Sequence, residues 1–349
     1  MRKLNVAQIG VGHDHAPCIF ESITRLTDVF NVVGYHVTKD EEERYNTNEH
    51  MRKTYEGKTP RLTLDEIFSY PNLDAVIIES DDVNLTEYAQ MALDKGFDIH
   101  MDKPGSVDSD TFEKMVSTAK RNGCVFHTGY MYRYNPAYIK ARKNAKNGAY
   151  GDIYSVELHM DCEHGKSKKE WLSSFPGGML YFLGCHLIDI IFDLKGIPEE
   201  IIPLSCSTGM DGITTDDFGM AVFKYKNGVS FAKTCASEPG GFMRRQCVIC
   251  GTKETIEFKP FEAYDESAKD ENNMYTVVRD AVPDKGWWHE FGTSKTELFN
   301  RYDPMMKSFA AICRKEKENP YTYEYEARLH RVILAACGVD VDYKAEIKL

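Results

Sequence analysis

The sequence predicts an α/β protein built from an N-terminal doubly wound parallel sheet and a C-terminal α+β domain with a largely antiparallel open sheet. Three observations predict this. In the first third of the chain, short apolar strand patterns alternate with helical ones, and the strands are near-continuous apolar runs, as in a parallel sheet covered on both faces. From about Gly129 the pattern changes to strands joined by short turns. The length of 349 residues suits roughly two domains of about 100–200 residues each. The boundary is placed so that residues 1–128 form one domain and residues 129–349 the other.

Each element follows from local signals. Leu4-Asn-Val-Ala-Gln-Ile-Gly10 is an apolar strand ending in glycine, and a helical stretch runs on to about Thr27. Val29 to Val37 and Leu73 to Glu79 are the next strands. Leu85 to Lys95 reads as a helix, with Gly96 at the position after the cap that favours left-handed backbone. Phe97 to Met101 is a strand, Asp110 to Arg121 a helix and Cys124 to His127 a further strand. A helix from Pro136 to Lys146 opens the second domain and leads to the strand Ile153 to Met160. Strands follow near 199–208, 217–225, 229–235, 243–250 and 253–258, and Lys226-Asn-Gly228 is a strong hairpin signal. Helices near 299–314 and 323–337 close the chain.

Composition excludes several classes of function. Lys+Arg 43 against Asp+Glu 54 gives 43 − 54 = −11, and no basic stripe offsets it, so nucleic-acid binding is disfavoured. No apolar run reaches the ~18 residues of a membrane span, and the N-terminus lacks a signal-peptide core, so a cytoplasmic protein is expected. The ten cysteines then read as reduced, mostly buried side chains. Cys247-Val-Ile-Cys250 has CxxC spacing but lies in a strand, which points its cysteines to opposite faces.

Gly10-Val11-Gly12-His13-Asp14-His15 follows the first strand and opens a helix. Glycines there allow a tight turn and close backbone approach to a pyrophosphate, which the helix N-terminus stabilises. His15 stands where a third small residue is usual, and His13 and His15 read as locally packed rather than metal-binding. The second strand lacks the ribose-binding acid expected near Val37, and Thr38 and Lys39 follow. That tilts the cofactor from NAD toward NADP, although Lys39 equally suits the surface at a helix start. Asp102-Lys103-Pro104 sits at a strand carboxyl end, where such sheets place ligands.

Taken with Arg133-Tyr-Asn-Pro136 and Gly177-Gly178-Met-Leu-Tyr-Phe-Leu-Gly184-Cys-His186-Leu-Ile-Asp189, the chain resembles the glucose–fructose oxidoreductase and inositol dehydrogenase (Gfo/Idh/MocA) family over nearly its whole length. The resemblance implies a Rossmann domain and an NAD(P)-dependent oxidoreductase acting on a CH–OH group of a sugar, cyclitol or sugar derivative. It implies Lys103 and His186 as the catalytic residues, flanking the reacting carbon. The cofactor set is Gly10, Val11, Gly12, His13, Thr38 and Lys39, with Ser80, Asp102 and Lys103. The substrate set is Tyr130, Arg133, Asp161, His164 and Asp189. No metal ligand is assigned, although His159, Asp161, Glu163 and His186 have the composition of an oxygen/nitrogen site.

Two departures stand out: the family aspartate four residues before the histidine is Phe182, and the first glycine of the triplet is Pro176. Asp189, one helical turn from His186, is placed either to orient the imidazole or to make an internal polar contact. Two other functions stay open: a nicotinamide-dependent glycosidase or lyase using transient oxidation, and a non-catalytic dinucleotide sensor. The aromatic pair Trp287-Trp288, with Trp171 and Phe242, suits a sugar-pocket floor or a core. A sheet with one free apolar face calls for a second subunit, so a homodimer or homotetramer is expected.

Overall fold

A computed structural model describes residues 2–265, 267, 273–281 and 292–349. The pair Trp287-Trp288 lies outside the described residues. The chain forms two compact units. One gathers Met1–Met131, Tyr302–His330 and Ile347–Leu349, and the other holds Tyr132–Arg301 and Arg331–Glu346. Whereas the sequence reading gives residues 129–349 to a single domain, residues 302–330 and 347–349 join the first unit. Composition carries no mark of such a return, because it depends on which apolar faces meet.

In the first unit, β1 (Leu4–Ile9), β2 (Phe30–His36), β3 (Ala75–Ile78), β4 (Asp98–Met101) and β5 (Phe126–Thr128) form a parallel sheet in the order β2-β1-β3-β4-β5. The order switches direction between β1 and β3, and ligands of doubly wound sheets bind beyond the strand ends at such a point. Every residue of β3 is buried. The helices Leu85–Asp94 and Ser109–Asn122 bring Leu85, Ala89, Phe112 and Met115 into the same core, each large side chain contributing about 1.5–3 kcal/mol. Asp108 caps the second of these helices by accepting from Thr111 N at 2.7 Å, and Gly123, at φ 67°, ends it. Between β2 and β3 lie short helices, Glu42–Thr47, Glu49–Tyr55 and Leu64–Phe68, that the apolar pattern does not announce.

The second unit adds β6 (Ile153–Asp161), β7 (Glu200–Cys206), β8 (Phe218–Tyr225), β9 (Gly228–Cys235), β10 (Gln246–Gly251) and β11 (Thr255–Phe258). It continues with β12 (Ala263–Tyr264), β13 (Asn273–Tyr275), β14 (Val277–Ala281), β15 (Gly292–Lys295) and β16 (Phe299–Asn300). Eight of these form one sheet in the order β15-β14-β11-β10-β6-β9-β8-β7, and β12-β13-β16 form a small one. Among the described residues, β6–β9 is the one parallel pairing in this sheet, with Glu157 opposite Phe231. The Asn-Gly signal is realised: β8 and β9 close a hairpin with Tyr225 opposite Gly228. Cys247 is buried and Cys250 half-buried on opposite faces of β10. The helix Cys185–Lys195 packs on β6 and β9. Cross-strand pairs Leu204–Met220 and Ile202–Val222, with Phe231 beside Val222, line the other face, where Leu204 is half exposed. Among the described residues, no helix is long and apolar enough to cross a membrane.

Candidate functional site

The glycine-rich loop of the first unit is shaped by steric exclusion. Gly10 has φ +91°, and a Cβ there would overlap the Ser80 backbone, so the ends of β1 and β3 press together. Gly12 N and His13 N both donate to Glu79 O at 3.1 Å. A Cβ on Gly12 would overlap the Glu41 and Asp81 carboxylates and the Arg44 guanidinium. Glu41, fully buried, accepts from Val11 N and Thr38 N at 3.0 Å through Oε2 and from Asp81 N at 3.1 Å through Oε1. Burial raises its carboxyl above the ordinary range against the pull of the Thr38 and Val11 hydrogen bonds.

An acid therefore does follow the second strand, four residues beyond the apolar, buried Val37. The sequence reading passed over it. The signal was the spacing Thr38-Lys-Asp-Glu41, a helix-capping box whose glutamate folds back onto the Thr38 backbone. Lys39 and Asp40 are exposed, and Asp40 accepts from Asn84 Nδ2 at 3.2 Å.

At the end of β4, Lys103 is 1% exposed. Its backbone N–H donates to Asp102 Oδ1 at 2.7 Å. Asp102 faces inward, with its Oδ2 3.2 Å from His13 Nδ1 and 3.0 Å from His15 Nδ1. Burial works to raise the Asp102 carboxyl, but His13 and His15 beside it hold it well below the usual carboxylate range. Glu79 lies 3.8 Å from His13 and 3.7 Å from His100. Burial, reinforced by the charge of Asp102, pushes Glu79 well above its ordinary value. His100 and His127 share a 2.7 Å Nδ1–Nδ1 hydrogen bond. His13 and Asp102, expected at the cofactor, thus belong to a buried cluster of ionisable groups. Tyr130, also of this unit, is buried.

In the second unit, Gly178 has φ +47°, and a Cβ there would overlap Asp216 O, which keeps the glycine of the histidine motif. A π-helical turn, Leu180–Gly184, then runs into the helix Cys185–Lys195 and sets His186 in its first turn. Such turns recur at functional sites. His186 is buried, and the Tyr132 ring meets it edge-on at 5.1 Å. The Tyr132 hydroxyl donates to Glu262, which also pairs with Arg245 and Arg301. Burial and the Glu262 charge push Tyr132 up to about 12, so it stays a neutral phenol. Tyr132 lies one residue before the quoted Arg133-Tyr-Asn-Pro136 motif.

Several expected substrate residues have other partners. Arg133 Nε and Nη2 donate to Asp189 at 2.9 and 2.8 Å, and both side chains are 2% exposed. The carboxylate proposed for the imidazole is therefore held by a guanidinium, and the internal polar contact is the arrangement found. Asp161 pairs with Lys233 Nζ at 2.9 Å, and His164 Nε2 lies 3.1 Å from Cys162 Sγ. His159 bonds Gln246 at 2.7 Å and lies 3.5 Å from Asp161, while Glu163 is exposed; among the described residues these do not gather three donors within a metal's reach. Phe182 packs with Leu172, Met179, Ala236 and Trp171 in an apolar cluster. Phe242 stacks on Tyr264 at 5.3 Å.

The strand ends of the first unit suit a dinucleotide, with side chains excluded at Gly12, a helix opening at Ala16 and a buried carboxylate after β2. Residues 4–130 match a family described as oxidoreductase family, NAD-binding Rossmann fold, and residues 138–257 match the GFO/IDH/MocA C-terminal domain. The chain is 27% identical over 139 residues to the uncharacterized oxidoreductase YhhX of Escherichia coli (strain K12), a match spanning 40% of each protein. It is 20% identical over 224 residues to scyllo-inositol 2-dehydrogenase (NADP(+)) IolW of Bacillus subtilis (strain 168), covering 63% of this chain and 61% of that protein. The structure of aldose-aldose oxidoreductase from Caulobacter crescentus complexed with glycerol superposes with a TM-score of 0.76 at 17% identity, covering 97% of this chain and 98% of that one. With both matched regions in order along it, the chain belongs to the GFO/IDH/MocA family of NAD-binding oxidoreductases.

Proposed function

We propose that the protein oxidises or reduces a CH–OH group of a sugar, cyclitol or sugar derivative. The observation that carries this is Lys103: an ammonium group buried to 1% exposure at the end of β4, on a sheet whose glycine loop suits a dinucleotide. A buried ammonium donates to an oxygen that gains negative charge during reaction, and a water-poor setting strengthens that interaction. His186 supplies the complementary function. Its imidazole accepts the hydroxyl proton in oxidation and returns it in reduction. When bound, the nicotinamide supplies hydride acceptance or donation. The relatives named for inositol and aldose substrates support a polyhydroxylated substrate.

Gly10, Val11 and Gly12 would lie along the pyrophosphate, and Glu41 would accept from the adenosine ribose hydroxyl. A carboxylate there repels a 2′-phosphate. The expectation of NADP rests on the absence of an acid after β2; with Glu41 present, NAD is the favoured cofactor. The apolar outer face of the eight-stranded sheet supports a homo-oligomer closed by twofold symmetry, and light scattering that finds a monomer at micromolar concentration overturns it.

The test is a polyol and sugar panel with NAD+, followed by absorbance of the reduced nicotinamide. Reduced cofactor formed in step with product is the expected result. Product without net reduced cofactor points to transient oxidation with elimination, and no turnover on any compound points to a binding protein.

A further inference from the structure

The strand ends of the first unit bury more ionisable groups than a proton acceptor and a donor require. His13 and His15 belong to the loop after β1, Glu79 and Asp82 follow β3, and Asp102 follows β4. His13, Glu79, Asp82 and Asp102 are at most 4% exposed. His13 Nδ1 and His15 Nδ1 lie 3.2 and 3.0 Å from one oxygen, Asp102 Oδ2, and ligand atoms from these three residues lie within 4.8 Å of one another. Donors of a tetrahedral zinc ion, at bonds of about 2.0–2.2 Å, stand roughly 3.4 Å apart. The two imidazole–Asp102 separations are already close to that spacing.

Two further observations point to a cation. His13 Nδ1 accepts the His15 backbone N–H at 3.1 Å, which turns this nitrogen toward the loop and the Asp102 carboxylate. The same nitrogen lies 3.2 Å from Asp102 Oδ2, so an ion bound there would take both as donors. Independently, both oxygens of Glu79 are buried without a hydrogen-bond partner among the described residues, and its Oε2 lies 3.8 Å from His13 Nδ1. Asp82 Oδ1 lies 3.3 Å from His13 Nε2, on the far side of the same imidazole. Glu79 and Asp82 thus add two further carboxyl groups beside the three donors, available to offset the charge of a divalent ion.

We propose that His13, His15 and Asp102 bind a divalent transition-metal ion of the zinc class, with Glu79 and Asp82 balancing its charge. Two imidazoles and a carboxylate suit zinc, cobalt(II) or iron(II) better than magnesium or calcium, which prefer oxygen donors throughout. The ion would tie the glycine-rich loop to the strand end bearing Lys103, because Asp102 also holds the Lys103 backbone N–H at 2.7 Å. His15, whose side chain is 14% exposed, provides the way in from solvent.

The experiment takes the full-length protein, strips it with a chelator and titrates it with Co2+ and then Zn2+. The expected result is one Co2+ per chain with visible absorption, displaced by one Zn2+. His15→Ala, folded by circular dichroism, should weaken Co2+ binding by at least about tenfold, while His15→Asp, which restores an oxygen donor, recovers part of the loss. His50→Ala, at an exposed helical residue, should leave Co2+ binding unchanged. A readout on the unaltered protein guards against misfolded variants: two Nδ1-bound imidazoles give two paramagnetically shifted, exchangeable ring N–H resonances with Co2+. Failure to bind Co2+ or Zn2+ below about millimolar concentration, equal binding by wild type and His15→Ala, or absence of those resonances overturns the proposal.

Discussion

In the second unit, the buried carboxylates of Asp189 and Glu262 are each taken up by arginine: Arg133 grips one with two bonds, and Arg245 and Arg301 converge on the other. At the strand ends of the first unit, Glu79 is as deeply buried and has no hydrogen bond among the described residues. The first arrangement is closed. Its partners satisfy one another, and it fixes the backbone around His186 through Tyr132, Arg133 and Asp189. The second is open: a buried carboxyl group is held without a protein hydrogen-bond partner, at the place where doubly wound folds receive ligands. Satisfied networks hold shape, and unsatisfied ones mark where something else is meant to bind.

The comparison can be broken in several places. The largest effect should come from the residues assigned to chemistry. Lys103→Ala and His186→Ala should each lower kcat by about 10²–10⁴-fold while cofactor affinity changes by only a few-fold. Near-wild-type kcat in either variant would remove that residue from the reaction. Next, Asp189→Asn leaves Arg133 charged, buried and half-partnered, and should cost roughly 3–5 kcal/mol of stability in urea unfolding. A loss below about 1 kcal/mol would mean that the closed network is not what holds the helix of His186.

A pH prediction tests burial within the first unit. His330 stacks on Phe112 at 4.0 Å and donates from Nε2 to Ser106 O at 2.6 Å, and burial lowers it from 6.5 to about 4. The folded state therefore takes up this proton later than the unfolded chain as pH falls. Its contribution to stability is complete above about pH 6.5 and is lost progressively toward pH 4. Between pH 7 and 5, wild type should lose about 2 kcal/mol more than His330→Gln, and parallel stability curves would show that His330 titrates normally. The smallest effect concerns the cofactor. Glu41→Gln should erode the preference for NAD over NADP by about tenfold, the worth of one hydrogen bond to a charged group. Calorimetric titration that finds NADP already preferred by the wild type would remove Glu41 from the ribose.

Much of this was legible in the sequence for a physical reason: strands and helices are announced by local periodicity, which sets β1 to β11 and the helix Pro136–Lys146 near their observed bounds. The hairpin at Asn227 and the GxG turn were legible because each needs particular residue types at particular positions. The partners of the polar residues were not. Arg133 and Asp189 are 56 positions apart, and no spacing rule says whether a charged residue faces a substrate or another side chain. Glu41, proposed above for the ribose, is not announced at the strand end because one capping turn carries it back to Thr38. The strands from Ala263 to Asn300 were missed as well, being two to five residues long, too short for alternation to register.

The first unit's dependence on Tyr302–His330 has a consequence for synthesis. From residue 131 to residue 302 the ribosome adds 302 − 131 = 171 residues, which at about 5–20 residues per second takes roughly 10–35 s. Through that interval the nascent sheet lacks the helix Asp303–Cys313. That helix sets Phe309 5.8 Å from His100 and 5.3 Å from His127, and it bonds Ser22 and Arg25 through Asp303. The dinucleotide-binding half is the first to be translated and among the last to be finished. A premature stop near residue 300 therefore damages it as surely as a lesion in the glycine loop.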